Sequence, residues 1–347
     1  MGKKKGETQS QYVERLRRDY PLRVFGWWKD LVRRRLEATA ELTSFRTLRG
    51  DLHIHSTYSD GIGTVEGIKA YADQAGLDFL FITDHNTVLQ KRNCRKLENV
   101  WWGQEVDAQG HHFCVLGLDR KYSPKGDLVR AYRRAEELGC LTFIAHPTGW
   151  FPTSRYTQER INILNDLGSG FTMEIINGAN QVFDCFDETD RNALALWDDL
   201  LSQGKRVTAI ACTDAHLAEA VGDLWTGVLA RRCAREDVFD AIRRGHCYAS
   251  DGPALCLWHG KSAMGDVVKA PRGELTLRYE CADSRGLDRI HLVSQRRVLK
   301  TVAGHGERAL KGEATVRFSG GRSYYRLECF AVDERRAYGN PIYVLEA

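Results

Sequence analysis

The sequence predicts an α/β fold: a largely parallel sheet or barrel buried on both faces, followed by a β-rich tail. Two patterns carry this expectation. Between Gly50 and about Gly245, short apolar runs alternate with helix-like segments; after Ser250-Asp251-Gly252-Pro253, alternating runs separated by turn residues take over. Taken in order, Thr64 is placed to cap a helix running to about Gly76, with Val65, Ile68 and Ala72 on one face. A strand over 78–83 follows, then a strand over 113–118, and a helix over 128–139 that ends in glycine before a strand over 141–145. A strand over 172–176, a helix over 193–202 and a strand over 206–212 complete the alternating part. In the tail, runs at 254–258, 274–281, 289–294, 314–318, 324–331 and 342–345 read as strands of a small antiparallel sandwich or sheet. The resulting division is 1–47, a basic amphipathic segment; 48–249, the α/β body; and 250–347, the β-rich domain.

Composition narrows the function classes. The chain has 347 residues, 43% of them apolar, enough to bury a large core. Residues 1–50 carry a net charge of +7 and the remainder −3, so the body is not a basic nucleic-acid platform and no stable nucleic-acid complex is expected. Ten cysteines are scattered without a Cys-x-x-Cys pair, a reduced inventory that points to the cytoplasm; Cys114, Cys140 and Cys212 lie in apolar runs as buried thiols. No apolar run is long enough to span a bilayer, and Lys3-Lys4-Lys5 is followed by no secretory apolar stretch. Residues 8–45 interleave Tyr12, Trp27, Trp28, Val32 and Leu36 with arginines, and Pro21 and Gly26 divide them into two short helices. This segment either packs its aromatic side on the body or makes peripheral membrane or partner contact.

Six histidines and three carboxylates stand at the ends of apolar runs. The clusters are Asp51-Leu52-His53-Ile54-His55, Ser59-Asp60-Gly61, Thr83-Asp84-His85, Gln104-Glu105, Gly110-His111-His112, Ala145-His146-Pro147 and Asp214-Ala215-His216. Alternate residues of a strand share a side, so His53 with His55, and Asp214 with His216, can each present two ligands together. In β/α architectures reactive groups gather at the carboxyl ends of strands, where His85, His146, Asp214 and His216 fall. Neutral imidazole nitrogens and carboxylate oxygens without thiolates suit zinc, manganese or iron. Each residue has a plainer alternative: Asp60-Gly61 as a turn, Glu105 as a surface acid, single histidines as core residues. His112 competes with His111 and is preferred because it shares a strand face with Cys114 and Leu116. The histidines of the tail, His259, His291 and His305, have no paired spacing and read as structural or surface groups.

The ordered motifs His-x-His, Ser-Asp-Gly, Thr-Asp-His, Glu, Gly-His, Ala-His-Pro and Asp-x-His resemble those of the PHP (polymerase and histidinol phosphatase) superfamily. The doubled histidine at 111–112 departs from the single one expected. Ser250-Asp251-Gly252-Pro253, Met264-Gly265-Asp266 and Asn340-Pro341-Ile342-Tyr343 further resemble signatures of its carbaryl-hydrolase-like (CehA/McbA) branch. The resemblance covers roughly 48–347 and implies a distorted seven-stranded β/α barrel with two or three divalent metal ions. It implies His53, His55, Glu105 and Asp214 at a first metal, Glu105 bridging to a second held with His112 and His146, and Asp60, His85 and His216 at a third.

The expected activity is metal-dependent phosphoester hydrolysis by a metal-bound hydroxide on a phosphorylated small molecule or nucleotide. Asp214 belongs to the catalytic centre, and His146 or His216 would assist protonation of the leaving group. A carboxyl-ester or carbamate hydrolase using the same centre is the alternative, and a non-catalytic metal fold a third. Asp51 and Asp84 are expected to orient imidazoles or to bond backbone. Asn86, Trp150, Phe151, Arg155 and Asn177 are candidates to line a substrate pocket, Arg155 as a phosphate clamp. Oligomeric state stays open.

Overall fold

The computed structural model describes residue 11 and residues 41–150, 154–155, 157–178 and 188–347, with the side chains of 150, 154 and 155 excepted. The expected basic helices of the N-terminal segment lie outside the described residues, as does Phe151.

The first part of the chain contributes β1 (Leu48–Asp51), α1 (Val65–Gln74), β2 (Phe79–Ile82), α2 (Lys91–Cys94), β3 (Val100–Ala108), β4 (His111–Leu116), α3 (Leu128–Glu137) and β5 (Leu141–Ile144). The two-residue β6 (Gly149–Trp150) and β7 (Ser154–Arg155), α4 (Gln158–Ile163), β8 (Phe171–Asn177), α5 (Glu188–Ser202), β9 (Val207–Cys212), β10 (Trp225–Val228), α6 (Arg235–Arg244) and β11 (Cys247–Ser250) follow. The tail adds β12 (Ala254–His259), β13 (Ser262–Ala263), β14 (Val267–Ala270), β15 (Gly273–Ala282), β16 (Leu287–Ser294), β17 (Arg297–Ala303), β18 (Ala309–Phe318), β19 (Arg322–Ala331), β20 (Arg336–Gly339) and β21 (Ile342–Glu346). The helix at Thr64 forms as its sequence demands: the Thr64 side chain accepts from the Gly67 N–H, and Val65, Ile68 and Ala72 are buried. Asp127 caps α3 in the same manner.

The sheet of the body is mixed. It runs β9-β8-β5-β4-β3-β2-β1-β10-β11 and continues without a break into β20 and β19 of the tail. β1–β2–β3 and β5–β8–β9 pair in parallel, but β3–β4–β5 and β1–β10–β11 pair antiparallel. The reason at β3–β4 is local. Ala108 pairs with His111 across a two-residue loop, Gln109-Gly110, in which both φ angles are positive (57° and 83°), the requirement of a type I′ hairpin. No parallel crossover can be made in two residues.

The closed barrel expected from the resemblance does not form. β9 is the last strand of the open path, and a single backbone bridge, Ile54 with Ala215, joins the ends of the β1 and β9 segments. Side chains replace the missing ladder. The Ala209 N–H donates to Asn340 Oδ1 (2.8 Å), the Ala211 N–H to Thr226 Oγ1 (3.1 Å) and the Thr213 N–H to Asp51 Oδ1 (3.2 Å). Asn340 Nδ2 returns bonds to the carbonyls of Ala209 (2.9 Å) and Cys247 (2.8 Å), and Thr226 Oγ1 donates to that of Ala211 (2.8 Å). Alternate residues of a strand expose their N–H groups on one edge, so three side chains are enough to satisfy it. Asn340→Ala strips the amide's bonds from the Ala209 N–H and from the Ala209 and Cys247 carbonyls and is expected to destabilise the fold by about 2–4 kcal/mol, measured as a fall in the denaturant midpoint at unchanged slope.

The tail is a large β-rich region rather than a small appendage. The β12–β13–β15–β18 sheet packs on the β16–β19 region through Leu255, Leu257, Leu277, Leu292 and Leu327. A buried guanidinium ties this region to the body: Arg326 on β19 pairs with Asp198 of α5 (2.8 Å) and with Glu328 (2.7 Å) and lies over the Trp197 ring. Strands β17, β14 and β20 escaped the sequence reading; β17 is exposed along its length, so it shows no alternation of burial. No helix among the described residues is long and apolar enough to cross a membrane.

Candidate metal centre

All nine sequence-selected candidates lie together, most of them at or just beyond strand ends, with Glu105 inside β3 and Asp60 in the loop before α1. They fall into three donor sets: His53, His55 and Asp214; Glu105, His112 and His146; and Asp60, His85 and His216 with His55 as a fourth member. In each set the donor atoms lie within 4.8 Å of one another. His112, not its neighbour His111, reaches the cluster, and its Nδ1 is 2.8 Å from Glu105 Oε1.

Glu105 is the centre. Its Oε2 lies 3.3 Å from His53 Nε2, 3.2 Å from His55 Nε2 and 3.1 Å from His85 Nδ1, while its Oε1 faces His112 and, at 3.1 Å, His146 Nε2. Asp214 Oδ1 lies 3.0 Å from His55 Nε2 and 3.4 Å from His53 Nε2, and those two nitrogens are 3.1 Å apart. Asp60 reaches His55 (3.4 Å), His85 (3.6 Å) and His216 (3.3 Å). The deep side is dry, with His53, His55 and Glu105 at most 1% exposed, whereas the side chains of Asp60 (41%) and His85 (30%) open to solvent. The mouth is therefore on the Asp60 side.

The donor sets fit divalent cations. Asp214 Oδ1 is buried with no hydrogen-bond partner although two imidazole nitrogens crowd it, and a cation satisfies all three at once. Without a cation the cluster compensates by protonation. Burial opposes charge on His53 and His55, yet Asp214, Glu105 and their neighbours outweigh it and hold both imidazoles well above the ordinary histidine pKa. Burial likewise opposes charge on Glu105, but His53, His112 and His146 hold it well below the ordinary range. The sign follows. Stability from the charged forms of His53 and His55 is fully present below the unfolded pKa of about 6.5 and is lost as pH rises through their raised folded values. Metal requires the neutral imidazoles, so uptake is expected to release protons and to weaken as pH falls; titration calorimetry in two buffers of different ionisation heat measures the release.

Chain geometry at the site is strained. His146 (φ 30°) and Asp214 (φ 48°) both adopt left-handed backbone just past β5 and β9, at a cost of about 1–3 kcal/mol each. At His146 this turn aims the backbone N–H at Glu174 Oε2 (2.7 Å). Gly61 is pressed on the loop carrying Asp60: a Cβ there would stand 2.2 Å from the His55 carbonyl oxygen. Gly61→Ala is expected to push Asp60 off His55, His85 and His216 and to lower the metal count per chain, read by elemental analysis.

Asp51 and Asp84 take the backbone-bonding alternative expected of them, and one supporting group, Glu174, was missed. Asp51 does not touch an imidazole; it accepts from the His53 N–H (3.3 Å) and from the backbone and hydroxyl of Thr213, and burial raises its pKa to about 7. Asp84 accepts from the Ser56 N–H (2.8 Å) and from the hydroxyls of Ser56 and Ser59 (both 2.7 Å), fixing the loop before Asp60. The imidazole is oriented instead by Glu174, whose Oε1 is 2.8 Å from His53 Nδ1. Glu174 is fully buried, and its Oε2 also accepts from Asn177 Nδ2 (2.7 Å). One signal existed in the sequence: a lone acid within the apolar run Phe171-Thr172-Met173-Glu174-Ile175-Ile176. Asn177, expected at the substrate pocket, is buried between Glu174 and Asp214. Asn86 bonds the Glu105 carbonyl through its N–H (3.0 Å), and the side chains of Trp150 and Arg155 lie outside the described residues.

Residues 202–247 match the PHP-associated family model. A two-domain protein of Bacteroides vulgatus containing a predicted PHP-like metal-dependent phosphoesterase superposes with a TM-score of 0.50 at 18% identity, over 88% of this chain and 96% of that one. The fold is PHP-like. The shared PHP-like architecture is α/β with two domains and a large β-rich C-terminal region. The chain is also 26% identical over 225 residues to the DNA polymerase/3'-5' exonuclease PolX of Bacillus subtilis, a match covering 55% of this chain and 38% of that protein. It thus spans well under half the length of this curated relative. A lesion-specific endonuclease of Pyrococcus furiosus is 16% identical, with 57% of this chain and 56% of that one covered and a TM-score of 0.41.

Proposed function

We propose that the chain is a metal-dependent phosphoesterase acting on a phosphorylated small molecule or a nucleotide. The observation that carries the reading is the set of three contiguous donor groups joined through Glu105 and His55. His53, His55 and Asp214 would hold one divalent ion, Glu105, His112 and His146 a second, and Asp60, His85 and His216 a third, with zinc, manganese or iron fitting the donors. Ions bound there would acidify a water and offset charge building on the leaving oxygen. The chain's own groups do the rest. Glu174 fixes the tautomer of His53 through Nδ1, leaving Nε2 to face the centre. Asp84 holds the Ser56–Ser59 loop so that Asp60 faces the mouth. With the third set unoccupied, His216, its side chain 15% exposed and its Nε2 beside Asp60, would be placed to donate a proton to a departing alkoxide, and the buried His146 is less accessible to it.

The relationship to the carbaryl-hydrolase-like branch rests on the tail signatures. One of them has a physical role here, since Asn340 seals the seam between β9 and β11. That role is structural and favours no carbamate substrate. The test is a matched pair, an aryl phosphate and an aryl N-methylcarbamate, given to metal-loaded protein. Phosphate release that is absent from Asp214→Asn supports the proposal; cleavage of the carbamate alone overturns it.

A further inference from the structure

A second polar cavity, of about 170 Å³, lies at the other end of the sheet, with Arg206, Thr208, Arg243, Arg244, Asn340 and Tyr343 in its lining. We propose that it binds a phosphate group, as free phosphate or as a small monoester, independently of the metal centre. It opens where β8 and β9 begin, whereas Asn177 and Asp214 stand where those strands end. The six residues from Thr208 to Asp214 put about 20 Å between the two sites.

The case rests on uncompensated charge. Three arginines line the cavity, and among the described residues neither Arg206 nor Arg243 is paired with a carboxylate. Arg206 lies over the Tyr343 ring, 5.5 Å from its centroid, and that tyrosine is bonded to the Val207 backbone. Arg243 is pinned through Nη2 to the carbonyls of Gly139 (2.8 Å) and Cys140 (3.1 Å) and stacks over Phe239. Arg244 meets Asp240 through Nε (3.1 Å), an exposed pair, and its terminal nitrogens stay uncommitted. The other carboxylate in the neighbourhood, Asp266, is held by His246 Nε2 and the Ala263 N–H.

Two glycines let the chain pack closely at the wall. A Cβ on Gly265 would stand 2.1 Å from the Arg244 carbonyl oxygen and one on Gly245 3.0 Å from the Gly265 Cα, beside the hydroxyl of Thr208. The amide of Asn340 is fully used on β9 and β11, so it forms wall and not recognition. The Arg206 guanidinium over the Tyr343 ring, the Thr208 hydroxyl and the positive charge of Arg243 and Arg244 at the wall match a tetrahedral dianion, whose oxygens accept from a guanidinium fork.

The experiment is calorimetric titration of inorganic phosphate, and in parallel of phenyl phosphate, into the full chain with chelator present and ionic strength held with chloride. One saturable site is expected, weakened about tenfold by Arg206→Gln alone, which corresponds to about 1.4 kcal/mol, and abolished in the Arg206→Gln/Arg244→Gln pair. Equal affinity for both titrants identifies free phosphate as sufficient, and tighter phenyl phosphate identifies a monoester; either supports the site. Absence of saturable binding, or affinity unchanged by the substitutions, overturns it. Circular dichroism monitors folding of the variants, and Arg243→Gln supplies an independent test on a separate wall if the pair is unfolded.

Discussion

Asp214→Asn is expected to cut metal-dependent phosphate release by on the order of 10³-fold, equivalent to about 4 kcal/mol of transition-state stabilisation. The amide keeps the shape of the side chain, so packing is preserved. What it removes is one full negative charge from a buried position 3.0 Å from His55 Nε2 and 3.4 Å from His53 Nε2, where solvent screening is weak. Two consequences follow. The first donor set loses its carboxylate, so metal affinity falls. In addition, the charged forms of His53 and His55 lose a principal stabilising neighbour, so their pKa values drop towards the ordinary range. Steady-state rates at saturating metal, compared with the metal count at the same concentration, separate the chemical contribution from lost occupancy. A variant retaining most of its activity would remove Asp214 from the centre.

Glu174→Gln carries the second large effect, a loss of about 10–100-fold in metal affinity or activity, although Glu174 belongs to none of the three donor sets. The carboxylate does three jobs: it faces His53 Nδ1 (2.8 Å), accepts the His146 backbone N–H (2.7 Å) and accepts from Asn177 Nδ2 (2.7 Å). A glutamine can present only one acceptor oxygen and must turn an NH₂ group towards one of these donors. The His53 ring then loses its fixed tautomer, or the left-handed turn at His146 loses its anchor. A metal titration followed by activity at saturation distinguishes the two: loss of affinity with recovery of rate points to His53, while a rate deficit that persists points to displaced His146.

The nine candidate ligands could be selected in sequence because their residue types match metal chemistry and recur in short motifs beside apolar runs, and the fold brings all nine together. His53 and His55 show it well: alternation alone put their side chains together, and their Nε2 atoms lie 3.1 Å apart. The helices at Val65–Gln74 and Leu128–Glu137 were legible for local reasons, a capping side chain and one buried face. Sheet closure was not. Whether β9 pairs with β1 or is sealed by Asn340, Thr226 and Asp51 depends on residues up to 162 positions apart, which no local period reports. The parallel reading failed at β3–β4 because a two-residue turn with a non-glycine positive φ at Gln109 has no strong sequence signature. Glu174 was missed because an acid inside an apolar strand carries no motif of its own, and only the fold brings it against His53.

The most direct test of the metal-dependent phosphoesterase reading is phosphate release from an aryl phosphate by chelator-treated protein, titrated separately with zinc, manganese and iron(II). The reading predicts no release from the stripped chain, and activity that climbs with added metal and levels off at two or three ions per chain. Release that is indifferent to metal, or stoichiometric metal uptake that produces no phosphate from any phosphoester offered, would contradict it.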